Sequence, residues 1–184
     1  DFEFVAPENR QNYIDFIDKV TNRLNAENFI VIVALAPKTS ADQPGLLYEA
    51  HDYAGLGAVS NAVLLMTYEW GYSEGPPMAV APIPQVRRVL DYAVTAIEPS
   101  KMYLGMPNYG YNWPLPFVKG ETKAPSIGNQ EAVDIARRYG AAIQYDEFSQ
   151  APHFNYYSNS WQEHEVWFED ARSIRAKLAL TGEY

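Results

Sequence analysis

Two acidic side chains open the sequence at a spacing that suits acid–base chemistry. Asp1 and Glu3 lie two residues apart in the stretch DFEFV, whose other residues are apolar. If this stretch is a strand, alternate side chains point to the same face, and the two carboxyl groups lie together. Carboxylates held close repel each other, so one keeps its proton near neutral pH, as a general acid requires. A solvated pair without chemistry is the alternative that the spacing leaves open.

A second set of candidate residues follows an apolar run in the stretch LLMTYEWGY. Leu64, Met66, Tyr68 and Trp70 alternate, which predicts one face of a strand. Such a stripe usually indicates side chains that pack in the core. Tyr68, Glu69 and Trp70 at its end are candidates for a different role. These three residues stand at the predicted C-terminal end of the strand, and α/β folds hold their sites at that end.

Aromatic residues also gather around the stretch GMPNYGYNWPLPF. They are Tyr103, Tyr109, Tyr111, Trp113 and Phe117. Together with prolines and an asparagine, they suit stacking on the faces of sugars. They suit plain packing of a loop equally well, and the sequence leaves both interpretations open.

The elements that must position these residues alternate along the first two thirds of the chain. Apolar runs predict strands, and apolar residues at helical spacing predict helices between them. The predicted strands are 1–5, 29–37, 61–72 and 101–113, and the predicted helices are 8–28, 46–60 and 82–99. Strand–helix units that recur in this way indicate a parallel sheet with crossover helices.

The alternation of predicted strands and helices ends after residue 113. A short helix is predicted at 129–140, and strands of alternating polarity, typical of an antiparallel sheet, follow at 141–148, 153–158 and 164–169. A last helix is predicted at 169–182. The sequence therefore predicts an α/β body over residues 1–118, a small α+β insertion over 119–168, and a final helix of the body within 169–184.

Composition excludes several classes of function. The formal net charge of −9 argues against a nucleic acid as partner, because binding to phosphates rests on clustered Lys and Arg. The sequence contains no run of about 18 apolar residues, so it predicts no membrane span. There is no cysteine, and the three histidines lack the spacing of metal ligands, so neither a metal site nor a cofactor is expected.

Four stretches in register resemble glycoside hydrolase family 18, the chitinase-like barrels. They are DFEFV, LLMTYEWGY, YLGMPNYGYNW and QYDE with HEVWFEDARS. The resemblance implies an α/β fold, a partial (β/α)8 TIM barrel that comprises the fourth to seventh strands and the α+β insertion before the eighth. The family motif on the fourth strand is D-x-x-D-x-D-x-E, of which only the last part is present, as Asp1-Phe2-Glu3. The chain is therefore expected to be a piece of a longer protein, inactive or nearly so by itself.

The resemblance also implies an activity and the residues that carry it. Family members of this kind cleave N-acetylglucosamine linkages with retention and with help from the substrate's own acetamido group. Carried over to this chain, Glu3 is the general acid and base, Asp1 supports the acetamido group and Tyr68 orients it. Residues expected to bind substrate are Met66, Glu69, Trp70, Asn108, Tyr109 and Tyr145. The family usually has Asp where this chain has Glu69, so the role of Glu69 is open.

TYEWGY and HEVWFEDARS are most similar to a bacterial spore-associated branch of the family. This likeness implies peptidoglycan of the spore cortex or a chitin-like glycan as partner. It also implies an extracellular, spore-envelope or cell-wall location, and N-terminal LysM modules in the longer protein. Two other interpretations remain. One is a glycan-binding relative without catalysis, although such relatives typically lack the glutamate that is kept here as Glu3. The other is an α/β interaction domain without sugar chemistry, which would not bind N-acetylglucosamine oligomers.

Overall fold

The computed structural model describes residues 1–184 and contains five α-helices and eight strands. The helices are α1 (Arg10–Asn25), α2 (Tyr53–Val59), α3 (Ile83–Ala93), α4 (Asn129–Tyr139) and α5 (Ala171–Thr181). The strands are β1 (Ile32–Leu35), β2 (Ala62–Leu65), β3 (Met102–Leu104), β4 (Tyr109–Pro114), β5 (Ser126–Gly128), β6 (Gln144–Asp146), β7 (Ala151–Tyr157) and β8 (Glu163–Trp167). None of the helices is both long and apolar enough to cross a bilayer.

The chain forms two compact units. Unit 1 comprises residues 1–67, 87–105 and 184, and unit 2 comprises residues 68–86 and 106–183. Each unit contains one sheet, so the chain is an α/β protein, as predicted. The predicted insertion over 119–168 lies within unit 2, which also contains β4 and α5.

Unit 1 contains the predicted parallel sheet. Its strand order is β1-β2-β3, and both neighbouring pairs are parallel. Val33 and Val63 pair in register, and Leu35 pairs with Leu65. All four side chains are buried, which places the apolar runs of the sequence in the core of the unit.

The buried strands are shorter than the sequence predicted. The apolar run 29–37 yields only β1, and Phe29 and Ile30 before it are 63% and 71% exposed. Strand β3 lies at the edge of the sheet, and Tyr103 on it is 55% exposed, so this strand is not fully buried. An apolar run in the sequence indicates where a strand is favoured. The length of the strand that forms depends on the neighbouring strands with which it pairs.

The opening stretch DFEFV is not a strand, which corrects the prediction for residues 1–5. A strand requires a backbone ladder to a neighbour, and β1, at the near edge of the sheet, pairs only with β2. A short 3-10 helix at Pro7–Asn9 follows and leads directly into α1.

Helices α1 and α2 pack against each other in unit 1. On α1, Tyr13, Ile17 and Thr21 are buried at a spacing of one helical turn, whereas Leu24 at the end of the predicted apolar stripe is exposed. Helix α2 is shorter than the predicted 46–60, because it begins at the N-cap Asp52, whose carboxylate accepts a hydrogen bond from Gly55 N–H at 3.0 Å.

Unit 2 is built on an antiparallel sheet of order β5-β4-β8-β7-β6. The three strands predicted after residue 141 are present as β6, β7 and β8, and they are antiparallel as expected. The aromatic stretch before them was predicted to be the end of the parallel strand 101–113 and the loop into which it runs. It is instead the strand β4, which pairs with both β5 and β8, so Tyr111 lies opposite Trp167.

Helices α4 and α5 complete unit 2. The core between α4 and the sheet is formed by Ile127, Ala132, Ala136, Phe154, Tyr156, Val166 and Phe168. Helix α5 begins with a capping box in which Asp170 and Ser173 exchange side chain–backbone hydrogen bonds, and it packs against β7. The last helix therefore packs on the antiparallel sheet, although the sequence predicted that it rejoins the parallel body.

Candidate active site

Asp1 and Glu3 are exposed and lie in an irregular segment that the residue between them anchors in unit 1. The Phe2 ring makes edge contacts with Tyr13 and Phe16 of α1 at centroid distances of 5.8 and 5.7 Å. The Phe2 carbonyl oxygen lies 2.9 Å from His51 Nε2. The two acids thus flank one anchored residue, and their carboxyl groups remain open to solvent.

His51 connects this segment to the end of β1. It is completely buried, and Ala36 N–H donates a hydrogen bond to its Nδ1 at 2.8 Å. Because Nδ1 accepts, the neutral ring carries its proton on Nε2 and donates it to the Phe2 carbonyl. Burial lowers the pKa of His51, which favours this neutral form. The sequence offered no signal for this role and showed only that the histidines lack the spacing of metal ligands.

Met66 follows β2 and is buried, with 8% of its surface exposed. Its N–H donates to the Leu35 carbonyl at 2.9 Å, which extends the pairing of β1 and β2 by one bond. Met66 was predicted to bind substrate. Its small exposed area lies just beyond the end of β2, and its role in binding stays a prediction.

Glu69 lies in unit 2 in a left-handed conformation, with φ of 67°. This conformation ends the alternation that the sequence predicted for residues 64–70, because strand β2 stops at Leu65. A non-glycine residue with positive φ is uncommon and often occurs at functional sites. The backbone after it is fixed by bonds from Trp70 N–H to Val80 O and from Gly71 N–H to Ala79 O, both 3.0 Å.

Two tyrosine hydroxyls on β4 hold the Glu69 carboxylate. Tyr109 OH donates to Oε1, and Tyr111 OH lies 3.0 Å from Oε1 and 3.1 Å from Oε2. Burial, followed by the charge of Glu69, raises the pKa of Tyr111 to about 12. Burial and the hydrogen bond to Glu69 raise the pKa of Tyr109 as well. Both phenols therefore stay protonated near neutral pH and act as donors. The sequence analysis expected Tyr109 to bind substrate but named Tyr111 only as one of the aromatic residues of this stretch, although its alternation with Tyr109 was an available signal.

Tyr68 packs on the aromatic cluster beneath this carboxylate. The buried members of the cluster are Val80, Tyr111, Trp113 and Ala124, and Tyr68, Tyr109, Phe117 and Trp167 pack against them. Trp113 is fully buried, and its indole N–H donates to the Gly75 carbonyl at 2.7 Å. Tyr68 and Trp70 are half-buried and Asn108 is exposed, so all three still present surface to a ligand.

Tyr145 lies on β6, away from the Glu69 group. Strand β6 is three positions from β4 in the sheet, which corresponds to about 14 Å at the usual strand spacing. The Arg172 guanidinium covers one face of the Tyr145 ring at 4.5 Å, and Asp170 in turn holds Arg172. Only the other face of the ring is available for stacking. The structure therefore brings Glu69 together with Tyr109, but it does not bring Tyr145 to them.

Comparison with known proteins assigns the chain to one family. The sequence model of the glycosyl hydrolases family 18 matches residues 1–183. A cortical fragment-lytic enzyme of Bacillus subtilis is 48% identical over 183 residues, which cover 100% of this chain and 42% of that protein. The chain thus spans about two fifths of the length of this curated relative.

Solved structures agree with the sequence comparison. The spore cortex-lytic enzyme SleL of Bacillus megaterium superimposes with a TM-score of 0.93 at 51% identity, over 99% of this chain and 42% of that one. A chitinase of Chromobacterium violaceum has a TM-score of 0.91 at 30% identity, over 100% of this chain and 56% of that one. The fold is therefore shared both with enzymes named for the spore cortex and with a chitinase.

Proposed function

This chain belongs to the glycosyl hydrolases family 18, and we propose on that basis that it forms the catalytic part of a glycosidase of the spore envelope. The substrate is the β-1,4-linked N-acetylglucosamine of cortex peptidoglycan, because the most similar proteins cited above are named for lysis of the cortex. The match of residues 1–183 to the family, with Glu3 exposed at the motif position, is the observation that carries the proposal. LysM modules elsewhere in the full-length protein would add affinity for the same glycan.

In the proposed mechanism, Glu3 protonates the glycosidic oxygen. The acetamido oxygen of the substrate attacks the anomeric carbon as the bond to the leaving group breaks, and a cyclic oxazolinium forms. Glu3, now a carboxylate, takes a proton from water, and the attack of this water on the anomeric carbon reopens the ring with net retention. This family is an exception to the usual scheme of two carboxylates because the substrate supplies the nucleophile.

Asp1 and Tyr68 assist the acetamido group in this scheme. The Asp1 carboxylate accepts a hydrogen bond from the acetamido N–H and offsets the positive charge that develops on the ring. The Tyr68 hydroxyl holds the acetamido oxygen in line for attack. Anchoring of Phe2 by His51 and α1 restricts the backbone from which both acids project.

Glu69 is assigned a binding role. Two phenols already donate to its carboxylate, and its remaining lone pairs can accept from hydroxyl groups of a sugar.

The decisive experiment is the Glu3→Gln substitution in the full-length protein. Gln keeps the shape of the side chain but cannot transfer a proton, so hydrolysis of N-acetylglucosamine oligomers should be lost while their binding persists. Asp1→Asn should lower kcat more than it raises KM, because Asp1 acts on the charged transition state. Near-normal turnover by Glu3→Gln would overturn the assignment.

The acetamido requirement gives a second, chemical test. The full-length protein should cleave N-acetylated oligomers and leave their deacetylated counterparts intact, because these lack the internal nucleophile. A thiazoline analogue of the cyclic intermediate should inhibit, since Asp1 and Tyr68 are proposed to hold that state. Equal cleavage of both oligomer types would contradict the mechanism but leave the family assignment intact.

A further inference from the structure

A cavity of about 360 Å³ lies in unit 1 and takes no part in the chemistry described above. Its walls combine two proline rings with four polar side chains, namely Pro7, Pro44, Arg10, Asp42, Gln43 and Glu49. This volume is within the range of small-ligand sites, about 300–1,000 Å³. It is also open to solvent on one side, as a site for part of a longer chain would be.

The cavity lies close to the proposed acid along the chain. Pro7 follows Glu3 by four residues, which limits the distance between their Cα atoms to about 14 Å. The other wall belongs to the loop after the C-terminal end of β1, the end at which α/β folds carry their sites. A ligand of several sugars can therefore touch Glu3 and the cavity at once.

Hydrogen bonds within the loop hold two polar side chains of the cavity wall, Gln43 and Glu49, in fixed orientations. Gln43 Oε1 accepts hydrogen bonds from the N–H and the hydroxyl of Thr39 at 2.7 and 3.2 Å, so its amide NH₂ group remains as a donor. Glu49 Oε1 accepts from Gly45 N–H at 2.8 Å, so Oε2 remains as an acceptor. Gly45 permits this turn because its φ is +124°, which side chains rarely adopt. A donor and an acceptor are thus preorganised in the same cavity.

The charges around the cavity nearly cancel. Arg10 uses Nε and Nη2 to bind Asp52 at 3.1 and 2.9 Å. Lys38 is buried, and its Nζ donates to two backbone carbonyls, those of Ala41 and His51. Because both cations already have partners, an anionic ligand gains no free counter-ion, and Asp42 would repel it. These features favour a neutral ligand that is rich in hydroxyl and amide groups.

We propose that this cavity is an accessory subsite for a neutral hexosamine unit of the same glycan. The inference rests on the proposed function, and it adds the residues that bind a sugar beyond the cleaved bond. Gln43 donates to a hydroxyl or carbonyl oxygen of that sugar, Glu49 accepts from a hydroxyl group, and the proline rings contact its apolar face. The subsite increases the affinity for long chains and does nothing for a substrate that ends at the cleaved bond.

The test uses two substitutions that keep the internal contacts of the loop. Gln43→Glu retains the acceptor for Thr39 and replaces the donor, and Glu49→Gln retains the acceptor for Gly45 N–H and replaces the free acceptor. Each should lower kcat/KM of the full-length protein about 3- to 10-fold on long N-acetylglucosamine oligomers, because each removes about one hydrogen bond. Both should leave kcat/KM unchanged on a chromogenic glycoside whose leaving group is not a sugar.

Matched controls change the same charges elsewhere. Gln144→Glu and Glu121→Gln alter exposed residues of unit 2 and should have no effect on either substrate. Equal activity of the wild type and both cavity variants on long oligomers would contradict the proposal of a subsite. So would equal losses on long oligomers and on the chromogenic glycoside.

A binding measurement separates this inference from the proposed function. Calorimetry with long oligomers on the Glu3→Gln background should show the same 3- to 10-fold loss of affinity in the cavity variants. If the wild type hydrolyses neither substrate, the proposed function fails. In that case the binding measurement still tests the subsite: weaker binding by Gln43→Glu and Glu49→Gln supports it, and unchanged binding contradicts it.

Discussion

The contacts of Glu69 bear directly on the binding role that we propose for it. Its carboxylate accepts hydrogen bonds from the hydroxyl groups of Tyr109 and Tyr111, and its backbone is held at positive φ. An acid that must donate a proton needs a raised pKa and no competing donors, whereas a binding group needs fixed lone pairs. The observed contacts fit the second requirement.

Tyr111→Phe tests this role at the residue scale. Removal of the hydroxyl deletes one donor to Glu69 while Tyr109 retains the other, so the carboxylate becomes less well fixed. KM for N-acetylglucosamine oligomers should rise about 3- to 10-fold, and kcat should change little, because binding is affected and not chemistry. Steady-state kinetics measure both constants, with Tyr157→Phe on the exposed face of β7 as the matched control. A fall in kcat of about a hundredfold at constant KM would instead place Glu69 in the chemical step.

Strand β4 determines at the element scale where the tyrosines stand. It pairs with β5 on one side and β8 on the other, and it contacts β8 so closely that no side chain fits at Gly110. A Cβ atom there would lie 2.1 Å from the Trp167 carbonyl oxygen and 2.7 Å from Phe168 Cα, both of which are backbone atoms. Glycine is therefore required at this position for the register that sets Tyr109 and Tyr111.

Gly110→Ala should destabilise the protein by about 1–3 kcal/mol, because the neighbouring backbone must move to admit the methyl group. Gly182→Ala, after α5, is the matched control, since the nearest atom to a Cβ at that position lies 3.4 Å away and its φ of −75° suits alanine. Midpoints of urea unfolding for the two variants measure the difference. Equal midpoints would show that β4 and β8 do not approach as described.

The stability of the whole molecule should depend on pH through His51. Burial lowers the pKa of His51 in the folded state, whereas the unfolded chain has the usual value of about 6.5. Below that pH the unfolded state binds the proton more readily, so the free energy of unfolding falls as the pH falls. One histidine contributes at most about 1.4 kcal/mol per pH unit. Burial also lowers the pKa of His164, which acts in the same direction.

His51→Gln isolates this contribution. Unfolding free energies of the wild type and the variant, measured between about pH 7.5 and about pH 5, should converge as the pH falls, because Gln does not titrate. The buried pair of Glu169 and Lys177, 2.8 Å apart, is common to both proteins and cancels in the comparison. Parallel pH profiles would show that His51 is not the responsible group.

The sequence determined the elements with strong local signals. Apolar periodicity identified α1 and α3, and alternation identified β6, β7 and β8. The β-branched runs indicated the parallel pair β1 and β2. Motifs alone led to the family that the comparison shows for residues 1–183, because four stretches with fixed order and spacing are specific even when each is short.

Tertiary structure alone decided the rest, because those outcomes depend on partners distant in sequence. Whether Asp1–Val5 is a strand depends on a ladder partner, and whether residues 109–114 are loop or strand depends on β8, more than forty positions along the chain. The contact of His51 with the Phe2 carbonyl and the two hydroxyls on Glu69 join residues 49, 40 and 42 positions apart. Periodicity reports only which face of an element is apolar, so these pairings, and the cavity beside Pro7, became visible only in the folded chain.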